Sequence, residues 1–219
     1  MKIYPLEFET KSPLLPELTL PLGIEFLNPI TTIMLGKVIR DTEQQIIDIH
    51  CPVNLRDSNW VTARLGYYNF LDFDYPQIRT LEKFILDSYN TFMPLLNVPT
   101  EKIYCHAWVN IIRTGEQITT HNHADAHTNL PGCYSYLSGN ITIEAEETTT
   151  NYSSPYNAQS HRIPNQNGML TLFPSFIMHS TSVNNSESPR LSLAFDIIPE
   201  STYNLMTENV HLFKKLEVK

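Results

Sequence analysis

The segment His121-Asn122-His123-Ala124-Asp125-Ala126-His127 sets three imidazoles and one carboxylate at alternate positions. In an extended strand, side chains at i and i+2 share one face and stand about 6.5 Å apart, close enough to grip a common ion. His121 and Asp125 would stand about 13 Å apart, too far for an ion whose ligand bonds are about 2 Å long. Three neighbouring pairs qualify: His121 with His123, His123 with Asp125, and Asp125 with His127. A turn after His123 would weaken the last most. A pair is not yet a site, and the stretch GMLTLFPSFIMHSTSVNNSESPRLSLAFD supplies what is missing. It carries His179 at the end of an apolar run and Arg190 eleven positions later, opening another strand.

Groups so far apart in sequence can meet only if short strands hold them. From Tyr104 onward the chain offers them in YCHAWVNII, GCYSYL, NITIEA, GMLTLF, FIMHSTSV and RLSLAFDII. Each run is rich in aromatic or β-branched residues and is bounded by Gly, Asn, Pro or Ser. Such a series predicts a sandwich or jelly roll. Ahead of it, YPQIRTLEKFILDSYNTFM repeats apolar residues at three- and four-residue intervals between Pro76 and Pro94, a helix whose stripe serves a core. ITTIMLGKVIRDTEQQ reads as a second helix, IIDIHCPVNL as a strand, and proline-rich KSPLLPELTLPLGIEFLNP as an irregular or edge segment. The polar stretch EETTTNYSSPYNAQSHRIPNQN reads as a long loop of the kind that carries substrate contacts, with His161 and Arg162 solvated within it. The class is α+β, a single domain over 1–219 with a helical or mixed part to residue 100, a jelly-roll core over 101–199 and a tail over 200–219.

Composition narrows the function classes. A formal net charge of −8 and a pI near 5.4 argue against a broad phosphate-binding surface, so no nucleic-acid partner is expected. No apolar run reaches the ~18 residues of a membrane span and the start lacks a secretory apolar region, so no membrane association is expected. Cys51, Cys105 and Cys133 are odd in number and scattered, which predicts reduced thiols and a cytoplasmic location. Oligomeric state and substrate are not encoded in any motif.

Trp108-Val109-Asn110, His123-Ala124-Asp125, Pro131-Gly132 followed by Tyr134 and Tyr136, Phe173-Pro174-Ser175, His179 and Arg190 together resemble the Fe(II)/2-oxoglutarate-dependent dioxygenase superfamily. Within it the likeness is to the prolyl-hydroxylase-like 2OG-Fe(II) oxygenases of bacteria and their phages, and it covers roughly residues 104 to 198. The resemblance implies a double-stranded β-helix, the jelly-roll or cupin-like barrel, with Fe(II), 2-oxoglutarate as cosubstrate and O₂. It implies hydroxylation of an unidentified protein side chain or small molecule, in the host cytoplasm if the gene is a phage's. Counted back from Gly132 without a gap, the family's first ligand pair falls on His123 and Asp125; aligned on HNH it falls on His121 and His123. Two imidazoles and one carboxylate suit non-haem Fe(II), so His123, Asp125 and His179 are the expected metal ligands and catalytic centre, with His121 the alternative. Arg190 is then expected to hold the distal carboxylate of 2-oxoglutarate through its planar fork, assisted by Tyr136 or Tyr134 and by Asn110. Ser135 stands between the tyrosines and leaves the choice between them open. Two other classes remain: a cupin-like metalloprotein using His121, His123 and His179 without a keto acid, and a non-catalytic jelly-roll binding module.

Overall fold

In the computed structural model of the chain, residues 1–9, 14, 17–50, 68–123, 136–207 and 209–217 are described. Cys51, Asp125, His127, Cys133 and Tyr134 fall outside them. Two helices open the layer architecture, α1 over Pro29–His50 and α2 over Pro76–Leu95. On α2 the stripe Ile78, Leu81, Ile85, Leu86, Tyr89, Phe92 and Met93 is buried, as its period requires. It packs with Leu35, Val38, Ile39 and Ile46 of α1 against one face of a large antiparallel sheet.

Among the described residues that sheet has the order β1-β2-β7-β4-β9-β3-β10. Its strands are β1 (Lys2–Phe8), β2 (Leu18–Phe26), β3 (Ile103–Ile112), β4 (Leu137–Glu144), β7 (Met169–Pro174), β9 (Arg190–Pro199) and β10 (Lys214–Leu216). Alternation divides each central strand. Val109, Ile111, Leu191, Leu193, Phe195, Ile197, Leu170 and Leu172 face the helices. Asn110, Ser138, Thr171, Arg190, Ser192 and Asp196 are also buried, at positions of opposite parity on the same strands. A second sheet in the order β6-β5-β8 is built from β5 (Thr149–Ser153), β6 (Ser160–Pro164) and β8 (Met178–Thr181). The space between the sheets is sealed at one end by Leu6, Phe8, Leu20, Leu22, Tyr152, Phe173 and Ile177. At Gly139 an added Cβ would lie 2.3 Å from the Phe195 ring and 2.8 Å from the Thr171 carbonyl oxygen, so only glycine lets β4 pass between its neighbours.

This is the double-stranded β-helix, with α-helices backing its larger sheet. Three local expectations are corrected. The helix α1 continues through Ile46–His50, where a strand was expected, because Ile46 prolongs the buried stripe of Leu35, Val38 and Ile39. The proline-rich segment forms a genuine strand, β2: Pro21 faces Pro5 on β1, and pairing with β7 starts only at Gly23, so the missing N–H interrupts no bond to β7. The polar stretch from Glu146 to Asn167 is not a loop but contains β5 and β6, whose buried positions, Thr150 and Tyr152, alternate with half-exposed Thr149, Asn151 and Ser153. Finally, β1, β2 and β10, which lie outside 101–199, all join the large sheet.

Candidate active site

The first element of the site is a backbone pairing. The segment from Glu116 to His121 runs along β8: Asn184 donates to the Glu116 carbonyl (2.9 Å), Thr181 to the Ile118 carbonyl (3.0 Å), and His121 and His179 exchange both N–H···O bonds (3.0 and 2.8 Å). Residues directly opposite in an antiparallel bridge present their side chains to one face, and the two rings stand 4.3 Å apart. Two residues on, His123 falls on that face as well. Its backbone N–H is anchored on the Ser175 carbonyl (2.9 Å), and its ring lies 5.1 Å from that of His179. One ring nitrogen from each of His121, His123 and His179 lies within 4.8 Å of the others.

Hydrogen bonds on the far side of each ring decide which nitrogen that is. Nδ1 of His121 meets the Thr119 carbonyl (2.8 Å), Nδ1 of His179 the Ile177 carbonyl (3.0 Å), and Nδ1 of His123 the Asp196 carboxylate (2.7 Å). Carbonyl and carboxylate oxygens only accept, so each Nδ1 carries the proton and each Nε2 keeps its lone pair for an ion. Burial, followed by the neighbouring His123 and His121, pulls the His179 pKa down to about 3. Burial likewise lowers His121. For His123 burial also works downward, but the charge and hydrogen bond of Asp196 outweigh it and leave the pKa raised.

The histidines stand at one end of a cavity of about 420 Å³, whose walls include Trp108, Asn110, Asn140, Thr150, Phe173, Arg190 and Ser192. That volume is in the range of small-molecule sites. Arg190 is 3 % exposed, and among the described residues its one modest bond runs from Nη2 to Thr150 Oγ1 (3.3 Å). Among the described residues, Nε and Nη1 are buried and meet no hydrogen-bond partner, and burial lowers its pKa to about 10, which leaves it charged at neutral pH. A buried cation with two free donors in a cavity wall is furnished for an anion, since an unpaired buried charge is otherwise costly. Asn110 lines the same cavity, with a buried side-chain oxygen that meets no partner among the described residues.

Tyr136 goes elsewhere. It packs with the large helix-side cluster, and its phenol pKa is raised by burial and then by Tyr89 and Glu101, groups on the α2 side of the sheet. Tyr152 takes the interior place instead: fully buried, it donates from its hydroxyl to Thr171 Oγ1 (2.9 Å), and its ring stands 6.4 Å from that of His179. Tyr152 is hidden from a reading of the sequence because its segment has the polarity of a loop. The alternation Thr150-Tyr152 was the available signal. Asp196 was missed too, although Arg190, Ser192, Ala194 and Asp196 share one face at spacing two. Asp125, the expected carboxylate ligand, and Tyr134 lie outside the described residues.

Fold and cavity together define a double-stranded β-helix equipped for a metal ion and an anion. The family described as "Putative 2OG-Fe(II) oxygenase" matches residues 106–196 of this chain. Its fold is shared with a prolyl-4-hydroxylase of Pseudomonas putida at 11% identity and a TM-score of 0.58, with 82% of this chain and 92% of that chain covered. The epimerase SnoN in complex with Fe3+, alpha ketoglutarate and nogalamycin RO matches at 12% identity and TM-score 0.55, over 81% and 78% of the two chains. The viral collagen prolyl hydroxylase of Paramecium Bursaria Chlorella virus-1 matches at 12% identity and TM-score 0.54, over 80% and 94%. No curated protein matches the chain. Among the described residues no helix is long and apolar enough to cross a membrane.

Proposed function

We propose that His123 and His179 hold Fe(II), that His121 completes the face of ligands, and that Arg190 binds the distal carboxylate of 2-oxoglutarate while an unidentified protein side chain or small molecule is hydroxylated beside it. The observation that carries this reading is the pairing of three convergent Nε2 atoms with a buried, incompletely bonded guanidinium in one cavity. The donor set fits the metal: three neutral imidazoles, each with its proton fixed on the far side, leave coordination positions for a chelating acid and a gas. Asp125 is the alternative third ligand. In its favour stands the preference of non-haem Fe(II) for one carboxylate in its ligand set.

When bound, Fe(II) supplies the redox chemistry by which 2-oxoglutarate and O₂ become succinate, CO₂ and an oxygen atom inserted into a substrate C–H bond. The protein's own contribution is positional. His121 and His179 are held by the two-bond bridge between their backbones, so their spacing follows the strand pairing. Arg190 fixes the cosubstrate's far end with parallel charge-assisted bonds. Asn110 flanks that position, and Trp108 and Phe173 exclude water from the walls. No side chain acts as a nucleophile. The acidic net charge supports a substrate other than nucleic acid, and a cytoplasmic setting belongs to the same reading.

The test is anaerobic reconstitution with Fe(II) followed by titration of 2-oxoglutarate. A metal-to-ligand absorption band and a rise in melting temperature are expected, with neither in His179→Ala. A protein that takes up Fe(II) but gives no band and no stabilisation with 2-oxoglutarate would be a cupin-like three-histidine metalloprotein. One that takes up no metal would be a binding module.

A further inference from the structure

The three imidazoles are not held alike. His121 and His179 rest on neutral backbone carbonyls, but His123 rests on a carboxylate, Asp196, that is fully buried 2.7 Å away. The same carboxylate oxygen accepts a 2.6 Å bond from Ser138 Oγ, whose single proton is thereby used, so that across the 3.0 Å contact Ser175 Oγ donates to Ser138 Oγ. Ser175 in turn accepts the backbone N–H of His123 on its carbonyl. Asp196, Ser138, Ser175 and His123 therefore close a ring of contacts that draws β9, β4, the turn after β7 and the first histidine segment to one point. The ring is built at cost, since a carboxylate is seldom buried unless charge and hydrogen bonds hold it.

We propose that Asp196 is a positioning residue for the metal, acting through His123. This rests on the reading of the imidazole cluster as the metal site. A carboxylate on the back of a ligating imidazole locks the ring's tautomer and orientation and makes its free nitrogen a stronger donor. With three imidazoles in contact with the ion, the ligand atoms themselves would be neutral. Asp196 then supplies, one ring away, the negative charge that a carboxylate ligand provides directly. His123 is accordingly the strongest of the three ligands and the one whose bond sets metal affinity, whereas His121 and His179 contribute geometry through their strand pairing. Ser138 keeps the carboxylate turned toward the ring, and Ser175 couples its placement to the turn that precedes His179.

The experiment compares wild type, Asp196→Asn, Ser138→Ala and His123→Ala, using Fe(II) and Co(II) as probes under anaerobic conditions. Asp196→Asn retains one acceptor oxygen in nearly the same shape, removes the charge and replaces the other oxygen by an amide nitrogen. Its affinity for both metals is expected to fall about 10- to 100-fold, the range for partners that orient metal ligands, and its Co(II) absorption spectrum to shift, while the metal-free melting temperature stays near wild type. Ser138→Ala should lie between the two. Equal affinities and superimposable Co(II) spectra for wild type and Asp196→Asn, with metal binding lost in His123→Ala, would overturn the role of Asp196 and leave the metal site intact. Failure of the wild type itself to bind either metal would overturn the site reading, and this inference with it.

Discussion

Arg190→Met offers the sharpest test of the cavity, because it moves stability and binding in opposite directions. In the folded protein without cosubstrate, Arg190 is buried with Nε and Nη1 unpaired, and its pKa falls from 12.5 to about 10. At 1.36 kcal/mol per unit, that corresponds to roughly 3 kcal/mol of destabilisation. At pH 7 the group is charged in both the folded and unfolded states, so the whole deficit is carried by the folded apoprotein. Methionine fills similar space without charge and forgoes only the 3.3 Å bond to Thr150. The apo variant should therefore be more stable by about 1 to 3 kcal/mol, a rise of roughly 3 to 10 °C in melting temperature for a chain of this size. Binding should move the other way. Loss of two charge-assisted bonds, each worth about 1.5–3 kcal/mol, weakens 2-oxoglutarate at least about 100-fold. Cosubstrate at 100 times its Kd stabilises wild type by about 2.7 kcal/mol and should leave the variant unmoved. Thermal melts of both proteins, with and without 2-oxoglutarate on the Fe(II)-loaded form, read all four quantities. A variant that melts below wild type without cosubstrate and still binds 2-oxoglutarate within about threefold would refute the reasoning.

The third ligand is decided by comparing His121→Ala with Asp125→Ala: the first should weaken Fe(II) binding by about tenfold or more and the second should leave it nearly unchanged, and the reverse would move the carboxylate into the site. Metal-free stability should depend on pH through His179, whose folded pKa near 3 lies below its unfolded value of 6.5. The unfolded chain binds the extra proton, so stability is full above about pH 6.5 and is lost as pH falls. Between pH 7 and 5, wild type should lose about 2 kcal/mol more than His179→Asn, and parallel slopes in denaturant titrations would exclude that shift. Tyr152→Phe removes the hydroxyl that bonds Thr171 Oγ1; a cost of about 0.5–1.5 kcal/mol in stability is expected from melts. Gly139→Ala forces a Cβ against Phe195 and the Thr171 carbonyl, and should destabilise by about 1–3 kcal/mol in the same melts.

Much of this molecule is legible without coordinates because periodicity is a local property. The stripe of α2 and the apolar alternation of β3, β7 and β9 mark their own elements, since a face that meets a core must repeat with the backbone. Arg190 and His179 could be singled out because a charged or titratable group at the edge of an apolar strand demands an explanation. The strands β5 and β6 escaped because their buried residues are Thr150, Tyr152 and a half-buried Ile163, so polarity hid the alternation. The inner cavity wall is polar by necessity, and hydrophobicity is silent there.

What the chain order alone determines is the set of available ligands and the parity that puts His121 and His123 on one side, or Arg190 and Asp196 on one side. The choice among them is tertiary. His121 belongs with His179 because the backbone after Glu116 pairs with β8, and that register arises from contacts between segments some sixty residues apart. Tyr152 turns inward because the pairing of β5 with β8 assigns it that face, whereas Tyr136, one residue ahead of β4, packs on the α2 side of the sheet. Hydrogen-bond register is a long-range variable, and a one-residue slip would invert every side chain along a strand. Parity can be counted along a sequence, whereas the partner strand that gives parity its meaning exists only in the folded protein.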